Sequence, residues 1–376
     1  MTSSSKPNHV VVIGAGIFGV SAALHLTRLG VDVTIVNDGA PAGGASGRSL
    51  SWLNSARRTD TPYYRLRLAG IDRYRTLAAT QPGTAAWLRF DGGLTWDADE
   101  GANGIASIWR LEQEIGYHAL LLSPAEVAAV TPGVNAHAIA PQGAIFNPGE
   151  GWVDLPSLID LLLAEFHARG GRLIAGAGRT HITVVGGRAT GVVAADKTRI
   201  EAGAVLLAVG EATPSTLAEL GIHVPDATPI SLLVKTTPIN TALRAVLNTP
   251  RVAIRPTPDG ALVLDSAWSE EEVVTNLDAT YTVHDRTVQG LLDEASSVLE
   301  GNPQLELAGY GVGPKPIPGD GEPVLGAIGE IANLHVAFSH SGATLGLIVG
   351  ELLAGEIVSG TPHPMLASFR AQRFTR

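Results

Sequence analysis

The sequence predicts a mixed α/β fold, in which a parallel-sheet domain is interleaved with a second, sheet-based domain. Two observations carry this. Short β-branched runs without alternation, His9–Ile13, Asp32–Val36, 204–209 and Leu334–Phe338, read as buried strands, and apolar stretches at helical spacing follow several of them. Between these lie segments of another kind. Residues 251–255 and 261–265 flank Pro258-Asp259-Gly260, a turn signature, and read as a strand pair.

The opening segment is the most informative. His9–Ile13 runs directly into Gly14-Ala15-Gly16-Ile17-Phe18-Gly19. Val20, Ala23, Leu24 and Thr27 then recur at helical spacing up to Gly30, a C-terminal stop, and Asp32–Val36 is the next strand. Strand, G-x-G-x-x-G, helix and strand make a Rossmann-type unit that holds a dinucleotide pyrophosphate. Gly14 permits the tight turn, Gly16 lets backbone approach the phosphates, and Gly19 lets helix pack close on strand. The helix N-terminus offers N–H groups and the positive dipole end to the anion, with Ile17 and Phe18 in its first turn. An acidic residue is expected at the end of the second strand, to accept from the ribose hydroxyls. Asn37 stands there, followed by Asp38. No Arg or Lys lies beside them, which disfavours a 2′-phosphate.

Composition narrows the class. The chain has 376 residues, enough for two domains or one large interleaved unit, and 45% are apolar, which argues against disorder. A net charge of −10 and the absence of a Lys/Arg-rich run argue against nucleic acid as a partner. With no cysteine, disulfides, thiolate metal sites, cysteine nucleophiles and cofactors tethered through sulfur are excluded. Residues 10–24 are apolar, yet their spaced glycines, the single preceding Lys6 and the lack of a small-residue cleavage site argue against a signal peptide. No uncharged apolar run reaches the ~18 residues of a membrane span. The expectation is a cytoplasmic protein without a membrane span. The histidines show no metal-ligand spacing, so no metal is expected.

After Asp38 the chain departs from a nicotinamide dehydrogenase, which would continue into another helix and strand. Instead a small-residue loop follows, Ala42-Gly43-Gly44-Ala45-Ser46-Gly47-Arg48-Ser49-Leu50-Ser51-Trp52. Two further blocks belong with it. One is Gly151-Trp152-Val153-Asp154 before a helix with Leu155, Leu158, Ile159, Leu162, Leu163 and Phe166 in one stripe. The other is Gly313-Pro314-Lys315-Pro316-Ile317-Pro318-Gly319-Asp320-Gly321-Glu322-Pro323 and, after a strand, Ser339-His340-Ser341-Gly342-Ala343-Thr344-Leu345-Gly346. In this order the blocks resemble the FAD-dependent amino-acid oxidase and dehydrogenase superfamily, which includes D-amino acid oxidase, glycine oxidase and sarcosine oxidase.

The resemblance implies FAD as cofactor and hydride transfer from the carbon bearing an amine to flavin N5, with the imine then hydrolysed. It implies a small amine or amino-acid substrate, and oxygen or another electron acceptor. Gly44, Ala45, Ser46, Arg48, Ser49 and Leu50 would carry backbone past the pyrophosphate towards the flavin. Thr180, Ala208 and Gly210 would lie by the adenosine half. Gly313, Lys315, Gly342, Ala343, Thr344 and Leu345 would lie by the flavin ring, the last helix N-terminus stabilising reduced flavin. Lys315 stands where the family often has an arginine that forks onto the substrate carboxylate, and Lys supplies charge without the fork. Lys315, Arg48 and His340 are the candidate catalytic residues. Trp52, Tyr310 and Arg255 are weaker candidates for the substrate pocket. The FAD-binding domain is expected to comprise 1–80, 148–228 and 312–376, with 81–147 and 229–311 forming the substrate domain. A nicotinamide-dependent dehydrogenase and a non-catalytic FAD-binding subunit are the alternatives.

Overall fold

A computed structural model describes residues 6–99 and 102–374. The chain divides into two compact units. The first comprises 1–47, 155–229 and 314–376, and the second 48–154 and 230–313. Residues 48–80 and 148–154, expected with the cofactor segments, make their contacts in the second unit.

The first unit is built on a six-stranded sheet in the order Val324–Ala327, Leu334–Phe338, Ala204–Leu207, His9–Ile13, Asp32–Val36, Arg172–Ile174. All neighbours run parallel except the edge strand Val324–Ala327. Val10, Val11, Val12, Val205, Leu206 and Leu207 are fully buried, which explains strand runs without a polar alternate. One face is covered by the helices Ile17–Arg28, Leu155–Ala168 and Gly342–Ser359. Where the first and last of these cross, a Cβ on Gly350 would lie 2.2 Å from the Ser21 hydroxyl and 2.7 Å from the Ala22 amide, so the backbones approach closely. Helix Gly342–Ser359 is long and apolar enough to cross a membrane, yet most of it is buried inside this unit. A three-stranded antiparallel sheet, His181–Val185, Arg188–Val193 and Arg199–Glu201, also belongs here.

The second unit is built on an eight-stranded sheet. Its order is Leu307–Pro314, Ile230–Thr236, Leu262–Asp265, Ala253–Pro256, Val246–Asn248, Gly93–Thr95, Ala144–Asn147, Leu120–Leu122. Register assigns its two faces. Leu94, Leu247, Ile254, Leu264 and Val234 form one row across five strands, and all lie in the apolar core with Val288, Leu291 and Leu292 of helix Asp285–Val298. The adjoining row, Gly93, Val246, Arg255, Val263 and Lys235, points to the opposite face. A three-stranded sheet, Trp52–Leu53, Gly151–Val153 and Leu88–Arg89, also belongs to this unit, as does the strand pair Val274–Thr275 and Tyr281–Thr282.

Candidate active site

In the first unit the glycine-rich turn sits at the carboxyl end of His9–Ile13. The Gly14 amide donates to the Val36 carbonyl at 2.9 Å, and the Ala208 amide to the Ile13 carbonyl at 2.8 Å. Gly14 adopts φ +106°, and a Cβ there would lie 2.2 Å from the Ala208 oxygen. A Cβ on Gly19 would lie 2.0 Å from the Gly14 oxygen, which is the close strand–helix packing expected of the third glycine. Gly16 is the N-cap, and its Cβ position meets only the Ser46 hydroxyl, at 3.3 Å. Backbone and a small polar side chain thus surround the end of the helix, leaving it open to a phosphate.

Two predicted residues hold the turn itself. The Ser46 hydroxyl accepts from the Ile17 amide at 3.2 Å. Asn37 Oδ1 accepts from the Ala15 amide at 2.8 Å, and its Nδ2 donates to the Gly39 and Ala40 carbonyls at 2.8 and 3.0 Å. The amide at this position therefore ties the phosphate turn to the loop after the second strand, a task the sequence did not disclose. Asp38 is exposed beside it. Ile17 and Phe18 are buried and flank Gly342, so their side chains pack the two helix starts together. Thr180 is half-buried and donates to the Gly178 carbonyl. Gly210, at φ +59°, lies against Pro316. Lys315 is half-buried, and its amide donates to the Pro229 carbonyl at 2.9 Å. His340 is exposed ahead of helix Gly342–Ser359, whose first turn contains Ala343, Thr344 and Leu345.

In the second unit Arg48 lies along the edge strand Leu307–Pro314. A Cβ on Gly311 would lie 2.8 Å from Arg48 Cγ, and one on Gly313 would lie 2.6 Å from a guanidinium nitrogen. Gly311 and Gly313 thus leave the strand bare for the arginine to lie across it. Ser49 braces the loop, its hydroxyl accepting from the Ser51 amide at 3.0 Å, while Leu50 is half-buried. Tyr310, by contrast, is 49% exposed and lines a hollow of about 420 Å³ with Asp285, Gln289 and Gln304, away from Arg48's strand face.

One residue before the Gly151 block lies a buried polar cluster. Glu150 and Glu112 are 0% and 1% exposed, with Arg67 at 4%. The Tyr117 hydroxyl donates to Glu150 Oε1 at 2.5 Å and accepts from the Ser55 amide at 3.0 Å. Asn147 Nδ2 donates to Glu112 Oε2 at 2.9 Å. Arg67 donates to the Asn54 carbonyl and to its Oδ1. Trp52 packs here too: a Cβ on Gly93 would lie 2.4 Å from Glu150 Oε2 and 3.0 Å from the Trp52 indole nitrogen. Burial pushes the Glu150 carboxyl up to about 8, against the Tyr117 hydrogen bond, with the like charge of Glu112 adding to it. The signal available in the sequence was Glu150 itself, a charge between glycines in an otherwise apolar block.

The chain matches the family model described as FAD dependent oxidoreductase over residues 9–356. It belongs to that family. That membership sets aside the nicotinamide reading and makes this chain an FAD-dependent oxidoreductase, and the glycine cradle fits a dinucleotide cofactor of this kind. A D-amino acid dehydrogenase of Methylobacterium radiotolerans is 25% identical over 421 residues, covering 96% of this chain and 97% of that protein. A bifunctional protein of tRNA 5-methylaminomethyl-2-thiouridine biosynthesis from Chromohalobacter salexigens is 34% identical over 162 residues, 42% of this chain but 22% of that protein. Among solved structures, glycine oxidase from Geobacillus kaustophilus shares the fold with a TM-score of 0.82 at 22% identity, covering 99% of this chain and 100% of that one.

Proposed function

We propose that the chain oxidises the C–N bond of a small amino acid or N-alkyl amino acid. Bound FAD supplies the two-electron acceptor. The substrate's α-carbon loses hydride, its C–N bond becomes an imine, and water then splits the imine into an oxo acid and ammonia or a primary amine. The protein's task is to place the substrate and balance its charge. Lys315 offers a positive charge to the substrate carboxylate, and the half-buried Arg48 offers a guanidinium near the cofactor loop. His340 offers a second polar group before the last helix, and Ser46 and Asn37 hold the turn that receives the pyrophosphate. Oxygen or another acceptor then takes the electrons.

The observation that carries the reading is the completed cradle: Gly16 stands where a side chain would fill the space at the helix start, and Gly14 and Gly19 stand where one would strike backbone oxygen and prise the turn apart. The test is anaerobic mixing of the FAD-loaded protein with D-, L- and N-methyl amino acids and plain amines. Loss of the yellow flavin absorbance with an amino acid supports the proposal. Retained colour across the whole set overturns it and points to a substrate outside these classes. Replacing Lys315 with Met is expected to raise KM about tenfold or to slow flavin reoxidation. Unchanged steady-state and stopped-flow constants remove Lys315 from the site.

A further inference from the structure

Arg255 is 3% exposed, in the middle of the eight-stranded sheet, on the face opposite the apolar core. A buried cation costs several kcal/mol unless an anion or hydrogen-bond acceptors surround it. Arg255 is under-served. Its Nη1 donates to the Pro256 carbonyl at 3.1 Å, and its guanidinium lies 5.4 Å from the centre of the Trp152 ring. Its Nη2 makes a long ion pair with Asp154 Oδ1 at 3.8 Å, beyond hydrogen-bond distance. Its buried Nε has no acceptor among the described residues. The edge of the fork formed by Nε and Nη2 is the edge that receives a carboxylate side-on, in two parallel hydrogen bonds. Burial pulls the guanidinium down only to about 10, with Asp154 and Asp259 acting the other way, so it stays charged at neutral pH.

The geometry points to Arg255 as the residue that grips the substrate's carboxylate, with Trp152 as the wall beneath it. This inference deepens the proposed function and rests on it. It assigns the substrate class as carboxylate-bearing amines in preference to plain amines.

The experiment compares wild type, Arg255→Met and Arg255→Lys, all FAD-loaded. Glycine, sarcosine and alanine are set against methylamine, dimethylamine and ethylamine. Arg255→Met is expected to lose about 100-fold or more in kcat/KM for the amino acids and to leave any rate with the amines unchanged. Arg255→Lys, keeping the charge without the fork, is expected to fall between. Acetate serves as a substrate-free probe: its titration should raise the Tm of wild type and leave that of Arg255→Met unmoved. Equal losses on amines and amino acids mark a structural arginine and overturn the inference. So does retained acetate binding by Arg255→Met. Should wild type bind acetate through Arg255 while no amine or amino acid removes the flavin colour, the proposed function fails and the carboxylate grip stands.

Discussion

Asn37 shows how one side chain can carry a task that its position in the sequence does not reveal. Position and spacing suggested a ribose acceptor, and the structure spends both ends of the amide on backbone. An acid at this position keeps the Ala15 bond but faces the Gly39 and Ala40 carbonyls with lone pairs where Asn37 presents N–H. Asn37→Asp should therefore destabilise the protein by about 1–2 kcal/mol, even though it restores the more usual residue. Thermal melts of wild type and variant with and without FAD check this. A variant as stable as wild type in both states would show that the two carbonyls are indifferent to their donor.

At the scale of the element, the glycines separate by what lies over them. A methyl on Gly19 meets a backbone oxygen, and backbone in a buried strand–helix junction has nowhere to go. A methyl on Gly16 meets only a hydroxyl, which can rotate. Gly19→Ala should cost about 3 kcal/mol and weaken FAD retention by pushing helix Ile17–Arg28 off its strand. Gly16→Ala should leave the Tm of the FAD-free protein nearly unchanged and weaken FAD binding alone. Purification with flavin-to-protein absorbance ratios, plus melts, distinguishes them; equal losses of stability would refute the assignment. This element was legible from the sequence because its chemistry is local: spacing, small residues and strand runs all sit within one supersecondary unit. The Glu150 cluster was not, because Trp52, Arg67, Glu112, Tyr117 and Glu150 come from separate elements and only folding brings them together. Arg255 lies between these cases. Its strand was readable, but the missing partner at its Nε is a property of the packed protein alone.

For the whole molecule, buried titrating groups in the two units set opposite limits of pH. Glu150, in the second unit, is raised from 4.5 to about 8 by burial. Below 4.5 it is protonated whether folded or not; between 4.5 and 8 the unfolded chain ionises first, so stability falls as pH rises. His335, in the first unit, is lowered from 6.5 to about 4, chiefly by burial, with Arg370 acting the same way and Glu356 opposing. Its contribution is complete above 6.5 and is lost as pH falls towards 4. Between 4.5 and 6.5 the two slopes cancel, giving a plateau with an acid limb below it and an alkaline limb above it. Glu150→Gln keeps an acceptor for Tyr117 and removes the ionisation, so the alkaline limb between 6.5 and 8 should flatten, by on the order of a few kcal/mol at its upper end. Inside the plateau range the same variant should uncover the His335 slope, stability now rising with pH. Denaturant titrations from pH 4 to 9 on wild type, Glu150→Gln and His335→Gln measure this directly. The variants should act on opposite limbs; if Glu150→Gln leaves the fall above pH 6.5 intact, the buried carboxyl is ionised in the native protein and the cluster around Tyr117 holds a charge.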